Sequence, residues 1–383
     1  MTTQDQQTRT LPYPRSDVFS RLEWLAPASR YPGSGTDMHW HAWAEDDALY
    51  FVDDDGVNFG NPWNFAHLLR ATGTPPDFRL EEISLFPELK RPENLKYQRY
   101  VDGALAIGSR LYVAAYDYDD LDETGEREFW FVDAVSRNGG IASLMYSDDY
   151  GRTWHNVPDP TTAEETTYFL GPRFAGLAFV GFGRGYTGVP NFLGDYVYAI
   201  SNDGNWESGD NVFLARAPRA SVLDRATWEF YAGEANGREE DDATWTTNED
   251  ATRPILSDPG HVGHPTMTYS AGLDRFLLTF GSDEIPHTWE AEPETIKATW
   301  HRRRELCVYE GPTPWGPWGL VHHDPFWEGE HVAYLPQVPP KWLSADGHSG
   351  WFVFSGDYGH YDSGPLGESS FYGFMTRPFR LRE

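Results

Sequence analysis

Apolar runs that end in acidic or polar turns recur five times along the chain, as DALYFVDDDG, SRLYVAAYDYDD, DYVYAISNDG, DRFLLTFGSDE and SGWFVFSGDYG. Each is bounded by turn residues and rich in aromatic and β-branched side chains, which predicts a strand. A second run with an aromatic tail follows each one: WNFAHLLRATGTPPDFRLEEI, IASLMYSDDYGRTWHNV, DNVFLARAPRASVLDRATWEFYAG, RELCVYEGPTPWGPWGLVHH and SFYGFMTRPFRL. A further short strand is predicted ahead of each, around MHWHAWAE, VDGALAIG, RGYTGVPNFLG, HPTMTYSAG and PQVPPKWLSADG. Each unit then supplies three or four strands, the content of one propeller blade. The expected fold is all-β, a five-bladed β-propeller with long inter-strand insertions over residues 31–383, with residues 1–30 as an extension packed on or preceding it.

The units exceed the ~40–50 residues of common blades, and the surplus lies in insertions such as 233–257. Such insertions suit loops that wall a cleft, an acidic unstructured loop being the plainer alternative. A two-sheet sandwich is the main competing fold, but it does not explain the fivefold recurrence. The octapeptide SDDYGRTW fits the Asp-box pattern S/T-x-D-x-G-x-x-W through Ser147, Asp149, Gly151 and Trp154. It reads as a structural turn in which the Asp bonds amides, the Gly takes a positive φ and the Trp packs beneath.

Composition agrees with a folded β protein of 383 residues, 16% aromatic and rich in Gly and Pro. The formal net charge of −29 repels phosphate backbones and anionic membrane surfaces, so neither nucleic acid nor membrane is an expected partner. Its plain reading is a soluble surface from a high-GC or salt-adapted source. Cys307 is the only cysteine; it allows no intramolecular disulfide, and a cysteine-based zinc site is excluded. In ELCVYE it reads as a buried small residue. The opening MTTQDQQTRTLPYPRS has no apolar h-region, so the chain as written is expected to be soluble without an export signal; a chain whose leader had been removed would read the same.

The chemistry converges on GTDMHWHAWAEDDALYFVDDDGVNFG, residues 35–60. Loops that enter the first strand of a blade and loops that leave the second share one rim. Asp37 enters, and Asp53, Asp54 and Asp55 leave, so the two ends of this hairpin meet at the propeller mouth. A pair of Asp at such a mouth, here Asp37 and Asp55, is what glycosidic bond cleavage requires, one carboxyl protonated and the other ionised. The alternative is a Ca²⁺ site or Asp turns that stabilise loop ends. Candidate substrate contacts from the same placement are His39, Trp40, Asp54, Asn58, Asp102, His264, Tyr334 and Lys341. His41 shares a face with His39, and Tyr100 is a further aromatic platform. Asp117, Asp203, Asp283, Glu284 and Asp357 are the remaining turn acids. No GxSxG, Walker A, HExxH or Rossmann fingerprint is present, and the thirteen His show no diagnostic metal spacing. The acid pair requires no cofactor, though the acidic rim offers oxygen ligands to a Ca²⁺ or Na⁺ ion on the propeller axis.

The segments TDMHWHAWAEDDALYFVDDDGVNFG, NVFLARAPRASVLDRATWEFYAG, GHPTMTYSAGLDRFLLTFG, ELCVYEGPTPWGPWGLVHH and YLPQVPPKWLSADGHSGWFVFSGD together resemble the DUF4185 family. Some actinobacterial members of that family are endo-D-arabinanases acting on the D-arabinan of mycobacterial arabinogalactan and lipoarabinomannan. The resemblance implies a catalytic Asp pair at Asp37 and Asp55, with Asp54 competing for the second place because the turn reads DDDG where the family turn is nearer GDG. It further implies a polysaccharide or oligosaccharide substrate, cleaved by a two-Asp mechanism that a wide mouth inclines to inversion. A non-catalytic carbohydrate-binding propeller is the second reading, and a sialidase-like glycosidase the third.

Overall fold

The computed structural model describes residues 10–61, 64, 66–86, 89, 97–119, 138–159, 168–203, 209–233, 243–283, 304–328, 332–357 and 372–383, the side chains of a few strand residues, Asp55 among them, excepted. Glu284 lies outside the described residues, as do the side chains of Asp283 and Asp357. Among the described residues there is no α-helix, and none is long and apolar enough to cross a membrane.

Two short strands, β1 (Arg21–Trp24) and β2 (Ser29–Arg30), precede a four-stranded antiparallel meander of β3 (Ser34–Trp43), β4 (Leu49–Asn58), β5 (His67–Thr72) and β6 (Arg79–Leu85). A three-stranded meander follows, β7 (Tyr97–Ile107), β8 (Arg110–Asp119) and β9 (Asn138–Ser147). Next come β10 (Ala178–Phe179), β11 (Tyr196–Asn202), β12 (Gly209–Pro218), β13 (Glu229–Gly233) and β14 (Thr244–Thr246). They continue into β15 (Pro254–Ser270), β16 (Arg275–Asp283), β17 (Arg304–Gly311) and β18 (Gly319–Asp324). Because β12 pairs with β15, these two groups form one nine-stranded sheet. The last group, β19 (Val332–Gln337), β20 (Ser349–Asp357) and β21 (Tyr372–Arg382), is completed by the first strands of the chain. Arg21 stands opposite Arg382 and Ser29 opposite Thr376.

Each group packs on the next: β3 on β7, β7 on β10, β15 on β19, and β20 and β21 back on β3. The sheets therefore succeed one another round a ring of the propeller type, an arrangement that a two-sheet sandwich does not have. Strand alternation supplies the glue. On β4, Leu49 and Phe51 join Val353, Phe374 and Trp342 in the seam with the last sheet, whereas Tyr50 and Val52 join Val101 and Val113 in the main core. Trp228, fully buried, donates its indole N–H to Val222 O at 2.9 Å. Truncating a side chain of that size to Ala costs about 3–5 kcal/mol.

Two inner strands fall elsewhere than their sequence segments predict. RGYTGVPNFLG holds two 3-10 turns, Arg184–Tyr186 and Asn191–Leu193, and the inner strand there is the two-residue β10. In the last group β19 ends at Gln337, and Pro340–Trp342 is a 3-10 turn, since successive prolines cannot donate to a ladder. The SDDYGRTW turn is held by Asp149 Oδ1, which accepts from Thr153 N at 2.8 Å, and by Ser147 Oγ, which accepts from Gly151 N at 2.7 Å.

Four inner strands share a device that the sequence pattern does not announce. The register slips between Asp37 and Trp40, between Asp102 and Ala104, between Gly263 and Thr266, and between Tyr334 and Gln337. At each slip one residue has left-handed backbone: Met38 (φ 54°), Gly103 (φ 39°), His264 (φ 46°) and Leu335 (φ 51°). Only at Gly103 is the residue type dictated locally, because a Cβ there would lie 2.4 Å from Leu177 O. The other three carry a side chain in a conformation that costs roughly 1–3 kcal/mol, and β-bulges of this kind re-aim neighbouring side chains.

Candidate active site

The β3–β4 hairpin is irregular at its open end. Thr36 stands opposite Gly56 but Asp37 opposite Asp54, so Asp55 is an extra residue on β4 with no register partner. Three residues on, Trp40 meets Val52, which places the second bulge at Met38 and His39. The close strand approach needs Gly56 (φ 138°), where a Cβ would lie 2.2 Å from Gly35 O. The clustered carboxylates thus occupy a doubly bulged rim.

Alternation sends the acids to different neighbours. Asp37, 6% exposed, accepts a short hydrogen bond from the Tyr334 hydroxyl of β19, and the next amide, Met38 N, donates to Ser355 Oγ at 2.9 Å. Asp54, 2% exposed, turns to the opposite side and accepts from Val101 N at 3.1 Å. Asp53 lies wholly buried: its Oδ2 accepts from Thr36 Oγ1 at 2.5 Å, and its Oδ1 is 3.0 Å from His39 Nδ1 without good hydrogen-bond alignment. The side chain of Asp55 lies outside the description, although its backbone belongs to β4.

Asp102, Tyr334 and His264 occupy matching levels of the inner strands. Burial pushes the Asp102 carboxyl well above the usual range, partly offset by bonds from the backbone of Gly103 and Leu177. The rings of His264 and Tyr334 are 6.2 Å apart. Asp37, Asp54, Asp102, His264 and Tyr334 thus sit at the bulged level of their sheets, all nearly buried.

Four expected substrate contacts sit elsewhere. Trp40 is a core residue, since the face of β3 it occupies packs inward with Ala42 and Val52. His39 is fully buried in the seam with the last sheet, its ring 4.7 Å from that of Phe374. Asn58 is fully buried; its Oδ1 accepts from Gly35 N at 3.3 Å and lies 3.2 Å from Thr36 Oγ1, whose proton goes to Asp53. Lys341 is at the far end of the ring, because β19 has already crossed the sheet by Gln337; its Nζ pairs with Asp47 Oδ2 at 2.8 Å in the β3–β4 turn. Of the lesser candidates, Tyr100 stacks on Tyr116 at 5.9 Å. Asp203 accepts from Asp210 N and Asn211 Nδ2 at 3.0 and 3.2 Å, and burial raises its pKa.

Sequence reasoning missed Arg99, which is 1% exposed and holds Asp117 through two bonds of 2.7 and 3.3 Å. That pairing makes Asp117 part of a buried ion pair, and the signal for it was an arginine in YQRYVDG that the β7–β8 hairpin sets directly opposite Asp117 of AYDYDD. Gln337 was missed as well. Its Nε2 donates to His39 O, and its Oε1 accepts from His41 Nδ1 at 2.6 Å. Burial depresses His41 to about 4 in spite of that bond.

A family model described as a domain of unknown function, DUF4185, matches residues 101–333, more than half of the chain. The chain belongs to the DUF4185 family. No curated protein matches this DUF4185 chain. Among solved structures it is similar to a putative hydrolase from Bacteroides ovatus, at 13% identity and TM-score 0.50 over 92% of this chain and 87% of that one. It is also similar to a GH43_1 enzyme from Xanthomonas citri (13% identity, TM-score 0.45, 92% and 90% covered). An endo-arabinase from Bacteroides thetaiotaomicron aligns at 9% identity and TM-score 0.42, with 91% and 96% covered. At such identities the likeness is one of fold.

Proposed function

We propose that this DUF4185 chain is a glycoside hydrolase on a five-bladed propeller, with Asp37 and Asp55 as its acid–base pair. Its substrate is a furanosyl polysaccharide, D-arabinan foremost, cut within the chain. The observation that carries the reading is the doubly bulged end of the β3–β4 hairpin, where Asp37 and Asp54 stand opposite and Asp55 is left without a register partner. Two register slips at one rim, both beside carboxylates, are irregularities of the sort that accumulate at working sites.

Asp54 spends Oδ1 on Val101 N, a bond that ties two sheets together; this favours Asp55 as the second member of the pair. In the proposed reaction one carboxyl protonates the leaving oxygen while the other activates water on the opposite face of the sugar, which inverts the anomeric centre and needs the carboxyls ~6.5–9.5 Å apart. Tyr334 fixes the orientation of Asp37 through its hydroxyl. The fold shared with the Bacteroides ovatus putative hydrolase agrees with this reading. Neither proton transfer needs a metal, and a Ca²⁺ or Na⁺ ion at the rim would serve as a structural ion.

One observation favours a second reading, a carbohydrate-binding propeller without turnover. Asp37, Asp54 and Asp102 are 6%, 2% and 2% exposed, and their bonds run between sheets or to their own backbone, as purely structural carboxylates would bond. The deciding experiment is product release from mycobacterial arabinogalactan by wild type, Asp37→Asn, Asp54→Asn and Asp55→Asn. The catalytic reading expects oligosaccharides from wild type, none from the Asp37 and Asp55 variants, and residual release from the folded Asp54 variant. Glycan retention without products would select the binding propeller.

A further inference from the structure

We propose a second site, a zinc-class metal centre formed by Glu305, Cys307 and His323 in the nine-stranded sheet. Glu305 and Cys307 are two apart on β17 and so share a face, and Cys307 stands directly opposite His323 on β18. Their donor atoms lie within 4.8 Å of one another, the one such group of three among the described residues. Cys307 is fully buried and Glu305 is 9% exposed. Around a tetrahedral ion with bonds of ~2.0–2.3 Å the ligand atoms stand roughly 3.4–3.7 Å apart, so Glu305 Oε2 and His323 Nε2, now 2.7 Å apart, have to open by about 0.7 Å to admit the ion between them.

The carboxylate is already aimed. Oε1 of Glu305 accepts from Ser282 Oγ at 2.7 Å and lies 2.6 Å from His261 Nδ1. This leaves Oε2, 2.7 Å from His323 Nε2, to face the other two donors. Such outer hydrogen bonds are what orient a ligating carboxylate. A thiolate, a carboxylate and a neutral imidazole carry two negative charges and neutralise a divalent cation in a place where an unbalanced charge would be costly. Sulfur and nitrogen donors select zinc over calcium or magnesium. On binding, the thiol proton leaves to solvent, and the imidazole proton of His323 moves from Nε2 to Nδ1 so that Nε2 can ligate. Three protein ligands leave a fourth position open. A single cysteine excludes a zinc site built on cysteines; a mixed site with one sulfur escapes that count.

Cys307 being the only cysteine, a thiolate-to-metal signal can arise from no other residue. Chelator-treated chain is titrated with Co²⁺ alone, followed by Zn²⁺. One equivalent of Co²⁺ should produce the near-ultraviolet thiolate-to-cobalt band, Zn²⁺ should abolish it, and Cys307→Ser and His323→Ala should lack it while His348→Ala keeps it. If stoichiometric Co²⁺ gives the wild type no thiolate band, the proposal fails whether or not the variants fold. A band that survives in Cys307→Ser overturns it equally.

Discussion

Tyr334→Phe removes one hydroxyl and keeps the ring. That hydroxyl donates to Asp37 Oδ1 across the seam between the last sheet and the first, where the two residues are 7% and 6% exposed. The ring's approach to His264 at 6.2 Å survives in phenylalanine. A hydrogen bond to a charged group contributes roughly 1.5–3 kcal/mol, so an Asp37 that relies on it for orientation loses about ten- to a hundredfold in kcat/KM. Initial rates on arabinogalactan and urea unfolding are measured on the same preparation, with Asp37→Asn as the floor. Full wild-type activity with a lowered urea midpoint refutes the argument, for the hydroxyl would then hold two sheets together and nothing more. Unchanged activity and unchanged stability would deny the bond itself.

Two further outcomes follow from Arg99 and His41. Arg99→Met takes the guanidinium from a buried carboxylate and should cost about 3–5 kcal/mol in urea unfolding. Arg99→Met with Asp117→Leu should recover most of this, and a loss below about 1 kcal/mol would be that of a surface pair. His41 is held neutral with its pKa lowered from 6.5 to about 4, so on acidification the unfolded chain takes up that proton first. Its contribution is whole above pH 6.5 and is lost progressively towards pH 4, about 3 kcal/mol in all. His41→Asn should flatten this loss between neutral and mildly acid urea titrations; parallel losses in variant and wild type would exclude His41 as the cause.

The strands that were legible are those whose two faces meet different neighbours. β4, β8, β16 and β20 carry long apolar runs because both faces are covered, and their acidic ends mark one rim. β10 was not legible: two residues between 3-10 turns offer no periodicity to read. Nor were the bulges, since Met38, His264 and Leu335 are ordinary residues whose left-handed φ is imposed by the packing of neighbouring sheets. Residue type identified Asp37, Asp102 and Tyr334 as polar or aromatic positions of the rim, but not their partners. Tyr334 and Asp37 are 297 residues apart, and only the return of the last sheet to the first brings them together. Lys341 was misplaced for a related reason, as the PPKW motif is distinctive in sequence yet lies beyond the end of its strand.

The pairing of β1 with β21 makes the ring a garment fastened by its first and last stitches. Leu22, made early in synthesis, waits for Met375, Phe379 and Leu381 before its apolar cluster has a second wall. The final fastening therefore waits for β21, and the residues between Leu22 and Leu381 form the loop it closes, an entropic cost that grows only slowly with length. The same adjacency makes the order of the sheets round the ring independent of where the polypeptide is cut. With Arg21 facing Arg382, the two ends could be joined and the chain opened in another turn, and the same strands would still find the same neighbours.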